Sequence, residues 1–400
     1  MITKNVEIEI FKIKKKNKSV KKNLQLLLTK NNEIFSSLSN KYIDKFKIKK
    51  IRKLIERRNV KLIGMGGSIL GAKAIYSFLE KKVKKKFLFL DNLRNLDNQN
   101  LKRQNFNANI IISKSGNTLE TIINTHSLLK KKDRNIFITE NNNNNYLRTL
   151  AYNLKSEIVD HNNYIGGRYS VLSEVGMLPA ELMGFKSKNF RQFNNLIRNK
   201  KFLDTLISNV ETILFFVKNN KNNSIIINYD ESLNSFFEWY QQLVAESLGK
   251  KNTGILPIIS NMPKDNHSLM QLYLDGTKNN FYSIFISQEK IKKDFKKLNF
   301  LHPYKYLKKY DINKVLEVKK KATENVFRKK KIPFRSFLLK ERNEKTMGEL
   351  FCYFILETIL IGKCLGVNPY DQPSVELIKN ETKKYFYEDI LPRFPGDEFC

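Results

Sequence analysis

The chain has 400 residues, 41% of them hydrophobic and 28% charged, which fits a globular protein with room for two domains and excludes an intrinsically disordered chain. No apolar run reaches the roughly 18 residues that a membrane-spanning helix needs, so we expect no membrane partner. The formal net charge of +34 comes from basic residues spread over the whole length, so we expect a solvated basic surface that attracts anionic substrates, and no nucleic-acid partner.

The first 50 residues are basic and carry apolar positions at helical spacing, among them Leu24, Leu27 and Leu28. We therefore predict a helical lead-in over residues 1–50 that carries no chemistry. This segment lacks a compact apolar stretch followed by a small-residue cleavage site, so we expect no signal peptide.

From about residue 60 the pattern changes to short runs of β-forming residues that alternate with helical stretches. Strand–helix alternation is typical of a parallel sheet with helices on both faces, and it predicts a first domain over residues 51–200. The predicted strands of this domain are 60–64, 86–90, 109–113 and 135–139.

A second alternating unit follows a predicted helix at 203–218, and we predict a second domain over 201–365. Its predicted strands are 224–229, 254–258, 281–287 and 334–339, and its predicted helices are 231–247, 268–274, 312–326 and 346–365. The predicted fold class is α/β, with two similar domains that each have a parallel sheet flanked by helices in a three-layer sandwich. Residues 366–400 are expected to form a C-terminal helical segment that packs across both domains.

The three cysteines, Cys352, Cys364 and Cys400, are too few and too widely spaced for a disulfide framework or a zinc site. The first two lie in an apolar helical stretch, where we expect small core residues, and the last is expected to fray. These features indicate a reducing compartment, so we expect a cytoplasmic protein without a metal.

The sequence GMGGS, from Gly64 to Ser68, directly follows the first predicted strand. Glycines let the backbone approach a ligand closely, and the N-terminus of a following helix favours an anion. The acidic residue of a dinucleotide-binding fingerprint is missing at the usual distance. A tight turn without a ligand explains these glycines equally well.

The sequence SKSGNT, from Ser113 to Thr118, lies between the third predicted strand and a predicted helix. Hydroxyls, an ammonium group and free backbone N–H groups at a helix N-terminus are the donors of a phosphate cradle. A polar helix cap is the alternative, but a cap needs one hydroxyl and this segment has three. We expect the phosphate contacts to come from Ser113, Lys114, Ser115 and Thr118.

Three single residues are candidates for acid–base chemistry. Glu246 lies in the apolar helical context QLVAESLG, where desolvation is expected to raise its pKa, although a pair with Lys250 is the simpler alternative. His267 follows Asp265 at a predicted helix start, where a surface or capping role is the simpler interpretation. Lys379 is one of many lysines, and only its similarity to a known motif distinguishes it.

Ordered motifs along the chain resemble known sequences. GMGGS and ISKSGNT after successive strands resemble a sugar-isomerase domain, the fold shared by phosphoglucose isomerases and amidotransferase isomerase domains. Four further motifs between residues 166 and 380 resemble the phosphoglucose isomerase family: GGRYSVLSEVGMLPAELMG, WYQQLVAESLGKKNTGILPI, DNHSLMQ and DQPSVELIKN.

The resemblance implies a role for each matching residue. It implies that Glu246 moves the proton between C1 and C2 of the sugar, while Arg168 stabilises the enediolate. It implies that His267 and Lys379 act in ring opening. The substrate-binding residues that it implies are Gly67 and Ser68, Gln242 and Gln372, and the cradle Ser113, Lys114, Ser115 and Thr118. Asn117 stands where many relatives carry a hydroxyl, so one phosphate contact is in doubt.

The implied reaction is the reversible isomerisation of glucose 6-phosphate to fructose 6-phosphate through a cis-enediolate, in glycolysis and gluconeogenesis. The resemblance implies no cofactor, and it implies a homodimer in which His267 acts in the neighbouring subunit's site. The chain is shorter than many long relatives, so a bifunctional glucose/mannose phosphate isomerase is an alternative. A non-catalytic sugar-phosphate sensor is a further alternative, but it predicts a missing base and a DNA-binding module, whereas the sequence has Glu246 and shows no such module.

Overall fold

The structure of the chain is a computed structural model. It describes residues 2–13, 16–29, 32–54, 59–93, 106–130, 132–288, 295–296 and 298–390. None of the helices in these ranges is long and apolar enough to cross a membrane. The same residues contain no cluster of three or more histidine, cysteine, aspartate or glutamate side chains that could hold a metal ion. Cys400, and the fraying expected for it, lie outside the described residues.

The N-terminal region contains a strand as well as helices. Strand β1 (Val6–Glu9) pairs antiparallel with residues 336–339 at the edge of a sheet. The helices that follow it are α1 (Lys18–Thr29), α2 (Glu33–Leu38) and α3 (Ile48–Leu54). The prediction of a purely helical lead-in over residues 1–50 is therefore wrong for its first part. The sequence VEIE alternates apolar and charged residues, which is the pattern of a strand with one side exposed.

The first sheet is parallel throughout. Its strands are β2 (Asn59–Gly64), β3 (Phe87–Leu90), β4 (Phe106–Ile112), β5 (Arg134–Thr139) and β6 (Glu157–Asp160), and the helices between them are α4 (Leu70–Leu79), α5 (Leu119–Leu128) and α6 (Tyr146–Asn153). The strand order is β3-β2-β4-β5-β6. The sequence analysis missed β6, because EIVD is short and has a charged residue at each end.

Four helices lead from the first sheet to the second: α7 (Glu174–Met183), α8 (Ser187–Phe190), α9 (Phe193–Ile197) and α10 (Lys200–Lys218). The second sheet then contains β7 (Asn223–Asn228), β8 (Leu256–Asn261), β9 (Asn280–Ser287) and β10 (Phe334–Leu339), with helices α11 (Asn234–Leu248), α12 (Asp265–Ser268), α13 (Met270–Asp275), α14 (Ile312–Lys329) and α15 (Glu344–Cys364). Its order is β1-β10-β9-β7-β8. The expectation of a parallel sheet is correct for all of its strands except β1.

Helix α15 forms the centre of the molecule. Every residue from Thr346 to Gly362 is buried, so this helix is covered on all sides. It packs against α1, α10 and α11, and a single hydrophobic cluster includes side chains from this helix and from both sheets. Cys352 is buried in this helix as expected, Cys364 is half-buried, and both thiols are free.

The last described helix, α16 (Pro373–Ile390), lies apart from this core. Nearly all of its described side chains are exposed, including the apolar residues Leu377, Ile378 and Phe386. The expectation that the C-terminal segment packs across both domains is therefore wrong for this helix within one chain, because the described residues of the same chain leave its apolar side chains uncovered.

The strand order of each sheet reverses at one position. The chain places β3 on one side of β2 and then β4 on the other, and it repeats this order with β7, β8 and β9. In open α/β sheets such a reversal leaves a crevice outside the carboxyl ends of the two central strands. The GMGGS and SKSGNT segments follow β2 and β4, so both lie at the first of these crevices.

Candidate active site

The GMGGS turn packs against two other parts of the candidate site. Gly66 has a φ of +52°, and a Cβ atom there would lie 2.6 Å from the amide nitrogen of Gln242. A Cβ on Gly67 would lie 2.2 Å from the backbone carbon of Gly167. Both glycines are therefore required by close packing, which brings the end of β2 against the GGR motif and against α11. Ser68 is half-buried at the end of this turn.

The SKSGNT segment forms a compact loop at the start of α5. The hydroxyls of Ser113 and Thr118 are 2.9 Å apart, and the backbone N–H of Gly116 donates to the Ser113 hydroxyl at 3.2 Å. Thr118 is the N-cap residue of α5, but its side chain makes no capping hydrogen bond to the helix. The alternative of an ordinary polar cap is therefore wrong for this residue, and among the described residues no side chain accepts from the first N–H groups of α5.

Two other side chains of this segment have partners outside it. Asn117 donates to the backbone oxygen of Asn144 at 2.6 Å and accepts from the backbone N–H of Tyr146 at 3.0 Å, so it joins the loop to α6. The Lys114 ammonium donates to the backbone oxygen of Asn163 at 2.7 Å and lies 3.4 Å from a carboxylate oxygen of Glu140. The Ser115 side chain is exposed.

Arg168 is the centre of the polar contacts in the candidate site. Its side chain is 1% exposed, and its guanidinium makes five hydrogen bonds, one for each of its N–H groups. The acceptors are the Ser247 hydroxyl (2.8 Å), a Glu246 carboxylate oxygen (3.0 Å), the Gln372 side-chain oxygen (2.8 Å) and the backbone oxygens of Pro369 (2.7 Å) and Asp371 (2.9 Å). The guanidinium group is thereby fixed in one orientation.

Glu246 and Gln242 lie one turn apart on α11. The amide nitrogen of Gln242 donates to one Glu246 oxygen at 2.9 Å, while Arg168 donates to the other. The Glu246 side chain is 28% exposed and lies beside a cation, so the expectation of an apolar environment is wrong. Glu246 lies on the partly exposed face of α11, whereas its apolar sequence neighbours Val244 and Leu248 are buried on the opposite face. The side-chain oxygen of Gln242 is buried and has no hydrogen-bond partner among the described residues.

The alternative interpretation, in which Glu246 pairs with Lys250, is wrong as well. The Lys250 ammonium lies 2.8 Å from an Asp371 carboxylate oxygen and donates to backbone oxygens of the same loop. A local i,i+4 pair therefore does not account for Glu246, whose described partners are Arg168 and Gln242.

An open pocket of about 470 Å³ lies between the SKSGNT loop and the loop before α16. Lys114 lines it on one side and Gln372 on the other, while the backbone of Gly166 and Gly167 lies between them. Its position beside the crevice of the first sheet gives a small anionic molecule access to Lys114 and to the residues around Arg168.

His267 and Lys379 are not brought into this cluster. The imidazole of His267 is exposed on α12, and no hydrogen bond or ion pair joins it to another described residue. The Lys379 side chain is 58% exposed and pairs with Glu376 on its own helix at 2.7 Å. The sequence analysis expected both residues at the site, and a single chain does not place them there.

Several residues that support the site were not identified from the sequence. The Tyr169 phenol donates to the backbone oxygen of Pro369 at 2.7 Å, and burial raises its pKa. The Ser247 hydroxyl accepts from Arg168. His161 is buried near Lys114, and this burial lowers its pKa to about 4, so the imidazole is neutral at pH 7. In the sequence, the positions of Tyr169 and Ser247 directly after Arg168 and Glu246 were the only indication that these two residues support the site.

The chain is similar over most of its length to proteins of one family. The family model described as phosphoglucose isomerase matches residues 40–389. A glucose-6-phosphate isomerase of Methanocaldococcus jannaschii is 32% identical over 349 residues, which cover 82% of this chain and 84% of that protein. A glucose-6-phosphate isomerase of Campylobacter jejuni is 29% identical over 348 residues, which cover 80% and 84% respectively.

Solved structures share the fold at lower sequence identity. A hypothetical protein of Thermus thermophilus matches with a TM-score of 0.80 and 22% identity, covering 92% of this chain and 94% of that chain. A glucose-6-phosphate isomerase from Chlamydia trachomatis matches with a TM-score of 0.65 and 18% identity, covering 90% and 79%. The predicted α/β class with parallel sheets flanked by helices is confirmed.

Proposed function

The chain belongs to the phosphoglucose isomerase family, and from this premise we propose that it interconverts glucose 6-phosphate and fructose 6-phosphate. It is an aldose–ketose isomerase, and its reaction is a step of glycolysis and gluconeogenesis. The observation that carries the proposal is the Glu246 carboxylate, which lies between Arg168 and Gln242 within a motif that resembles the family's.

Glu246 is the base in the proposed mechanism. It removes the proton from C2 of the open-chain aldose, which gives a cis-enediolate with the negative charge on O1. The hydroxyl proton moves from O2 to O1, and the same carboxyl group returns the first proton to C1 as the C2 carbonyl forms. The hydrogen bonds from Arg168 and Gln242 hold the two carboxylate oxygens in one orientation. Such a positioned acid–base group typically contributes about 10²–10⁴-fold to the rate.

Arg168 supplies the positive charge beside the developing enediolate. Because its N–H groups are already bonded within the protein, the cation needs little reorganisation while the substrate's charge develops. The bond from Nη1 to Gln372 ends on an exposed side chain, so Arg168 holds Gln372 where a substrate oxygen can reach it. We assign the unpartnered oxygen of Gln242 to a sugar hydroxyl, and because this oxygen is buried, the side chain shifts when the substrate enters.

The SKSGNT loop binds the phosphate in this proposal. The uncapped N–H groups of α5 and the hydroxyls of Ser115 and Thr118 are its donors, and Lys114 lines the adjacent pocket. Lys114 exchanges its contacts with Asn163 and Glu140 for the phosphate. Contacts far from C1 and C2 supply the binding energy that orients the sugar against Glu246. Gly67 and Ser68 lie beside the sugar.

Ring opening is assigned to His267 and Lys379, which a single chain leaves outside the cluster around Arg168. We propose a homodimer in which the partner subunit's His267 reaches the site. The exposed apolar side chains of α16, such as Leu377, Ile378 and Phe386, support this assembly, because a second copy would cover them. The cytoplasmic location remains a prediction.

The proposed function is tested with the purified chain in a coupled assay of fructose 6-phosphate formation from glucose 6-phosphate. Glu246→Gln should lower turnover about 100-fold or more with a similar KM, because the base is lost while its hydrogen-bonding shape remains. The matched control is Glu238→Gln, which lies on the same helix but pairs with Lys73 at 2.9 Å. The proposal would be contradicted if the wild-type chain showed no turnover. It would also be contradicted if the turnover of Glu246→Gln were within tenfold of the wild-type value. Mannose 6-phosphate as substrate in the same assay distinguishes the two enzymes, because only the bifunctional glucose/mannose phosphate isomerase should convert it.

A further inference from the structure

Lys250 binds a loop that lies more than a hundred residues further along the chain. Lys250 lies two residues beyond the end of α11. Its ammonium donates to the backbone oxygens of Asn368 and Asp371, the latter at 2.6 Å. It also lies 2.8 Å from an Asp371 carboxylate oxygen, and the Lys250 side chain is only 12% exposed. Ammonium contacts of this kind are charge-assisted and therefore stronger than neutral hydrogen bonds.

The same loop, residues 368–372, is held by the candidate site from its other side. Arg168 donates to the backbone oxygens of Pro369 and Asp371, and Tyr169 also donates to Pro369. At the end of the loop, the Gln372 side chain accepts from Arg168 at 2.8 Å, and α16 begins at the next residue. Two cations from different parts of the chain thus fix a short loop that ends in an implied substrate contact.

We propose that Lys250 is a positioning residue of the isomerase site, which ties the loop 368–372 to the end of α11 and so keeps Gln372 on Arg168. The inference rests on the proposed function and deepens it. Helix α11 carries Gln242, Glu246 and Ser247, so a tie from the end of this helix fixes the loop relative to the base itself.

The charge of Lys250 is the property that this role requires. The hydrogen bond from Lys250 lowers the pKa of the Asp371 carboxyl, so this group is an ionised partner for the ammonium at neutral pH. Without the ammonium, the loop keeps its bonds from Arg168 and Tyr169 and the bond from Asn32 to the Tyr370 hydroxyl. The Asp371 carboxylate loses its cation and keeps the Asn368 amide as a donor. A displacement of about 1 Å in a substrate contact is enough to reduce catalysis by up to about 100-fold.

The test uses the full-length chain with three single variants. Lys250→Met should lower kcat about tenfold or more with KM changed by less than about threefold, and Lys250→Arg should recover most of the loss because it keeps the charge and the donors. Lys251→Met is the matched control for loss of one charge, because the contact of the Lys251 ammonium with the described part of the chain is a long one, to the backbone oxygen of Gly366 at 3.5 Å. If Lys250→Met does not fold, Asp371→Asn removes the same ion pair from the other side and should lower kcat in the same direction.

A double-mutant cycle separates positioning from general stabilisation. In a Gln372→Ala background, Lys250→Met should lower kcat by less than about twofold further, because both changes act through one contact. Independent, multiplying losses would overturn the inference, and so would a Lys250→Met chain with wild-type kcat. In both of those outcomes the wild-type chain remains an active isomerase, whereas a wild-type chain without turnover overturns the proposed function itself.

Discussion

Arg168 and Arg335 are both almost completely buried, and the charge of each is balanced in a different way. Arg168 binds one half-exposed carboxylate together with neutral oxygens, so a substrate can still approach its partners. Arg335 of β10 is fully buried and binds both carboxylate oxygens of Glu357 on α15. The first arrangement serves chemistry at an open crevice, whereas the second joins the second sheet to the central helix.

The Arg335–Glu357 pair should be important for stability only as a pair. Arg335→Met should lower the free energy of unfolding by about 3–5 kcal/mol, because the buried Glu357 carboxylate then loses its cation and keeps the Tyr353 hydroxyl as its described donor. Arg335→Met combined with Glu357→Met should cost much less, since no buried charge remains. The measurement is denaturant unfolding, with Arg328→Met as the control, because Arg328 is 29% exposed and pairs with Glu9. Equal losses in the single and double variants would contradict this account.

For single residues, the sequence predicted which side chains belong to the site better than it predicted which contacts they make. The motifs identified Arg168, Gln242, Glu246 and Gln372, and the structure brings these four side chains into contact. Lys250 was considered only as the i+4 partner of Glu246, because local spacing says nothing about a loop from another part of the chain. The same limit applies to Ser247 and Tyr169, whose role depends on contacts across the fold.

The secondary-structure elements show where sequence patterns are sufficient. Central strands such as β4 and β9 are rich in buried apolar residues and were predicted to within three residues at each end, since burial on both faces leaves a strong signal. The edge strands β1 and β6 are four residues long and half-polar, and both were missed. The turns after β2 and β4 were predicted from composition, but the structure adds that Gly66 and Gly67 are also required for packing.

The start of α5 should govern substrate affinity more than turnover. Ser115→Ala and Thr118→Ala should each raise KM for glucose 6-phosphate about tenfold with little change in kcat, because phosphate contacts lie far from C1 and C2. Inorganic phosphate should compete with the substrate. Ser127→Ala is the matched control, an exposed serine near the other end of the same helix. Isomerisation of free glucose as rapid as that of its phosphate would show that the loop is not a phosphate cradle.

The whole molecule presents an incomplete site in a single chain. The first crevice holds the base, the arginine and the cradle, whereas His267 is exposed on the second half and Lys379 on a helix with few contacts to the core. The motifs by themselves predict only which residues take part, because a motif has no information about assembly. The family resemblance adds that the partner subunit supplies His267, and this part stays a prediction. A second copy that covers α16 would bury its apolar side chains and bring new side chains towards the pocket beside Gln372.

This arrangement predicts that two inactive variants restore activity when they form one dimer. His267→Ala loses the imidazole that moves a proton to the ring oxygen, and Glu246→Gln loses the base. If the partner subunit's His267 completes each site, a hybrid dimer has one site with both residues intact, so activity should return to a fraction of the wild-type rate. The measurement is the coupled assay after subunit exchange, with differently tagged chains and hybrid formation confirmed by mass. Each variant mixed with itself is the control. Confirmed hybrids without activity would show that every chain builds its own site, and full activity of a monomer at assay concentration would reject the shared site.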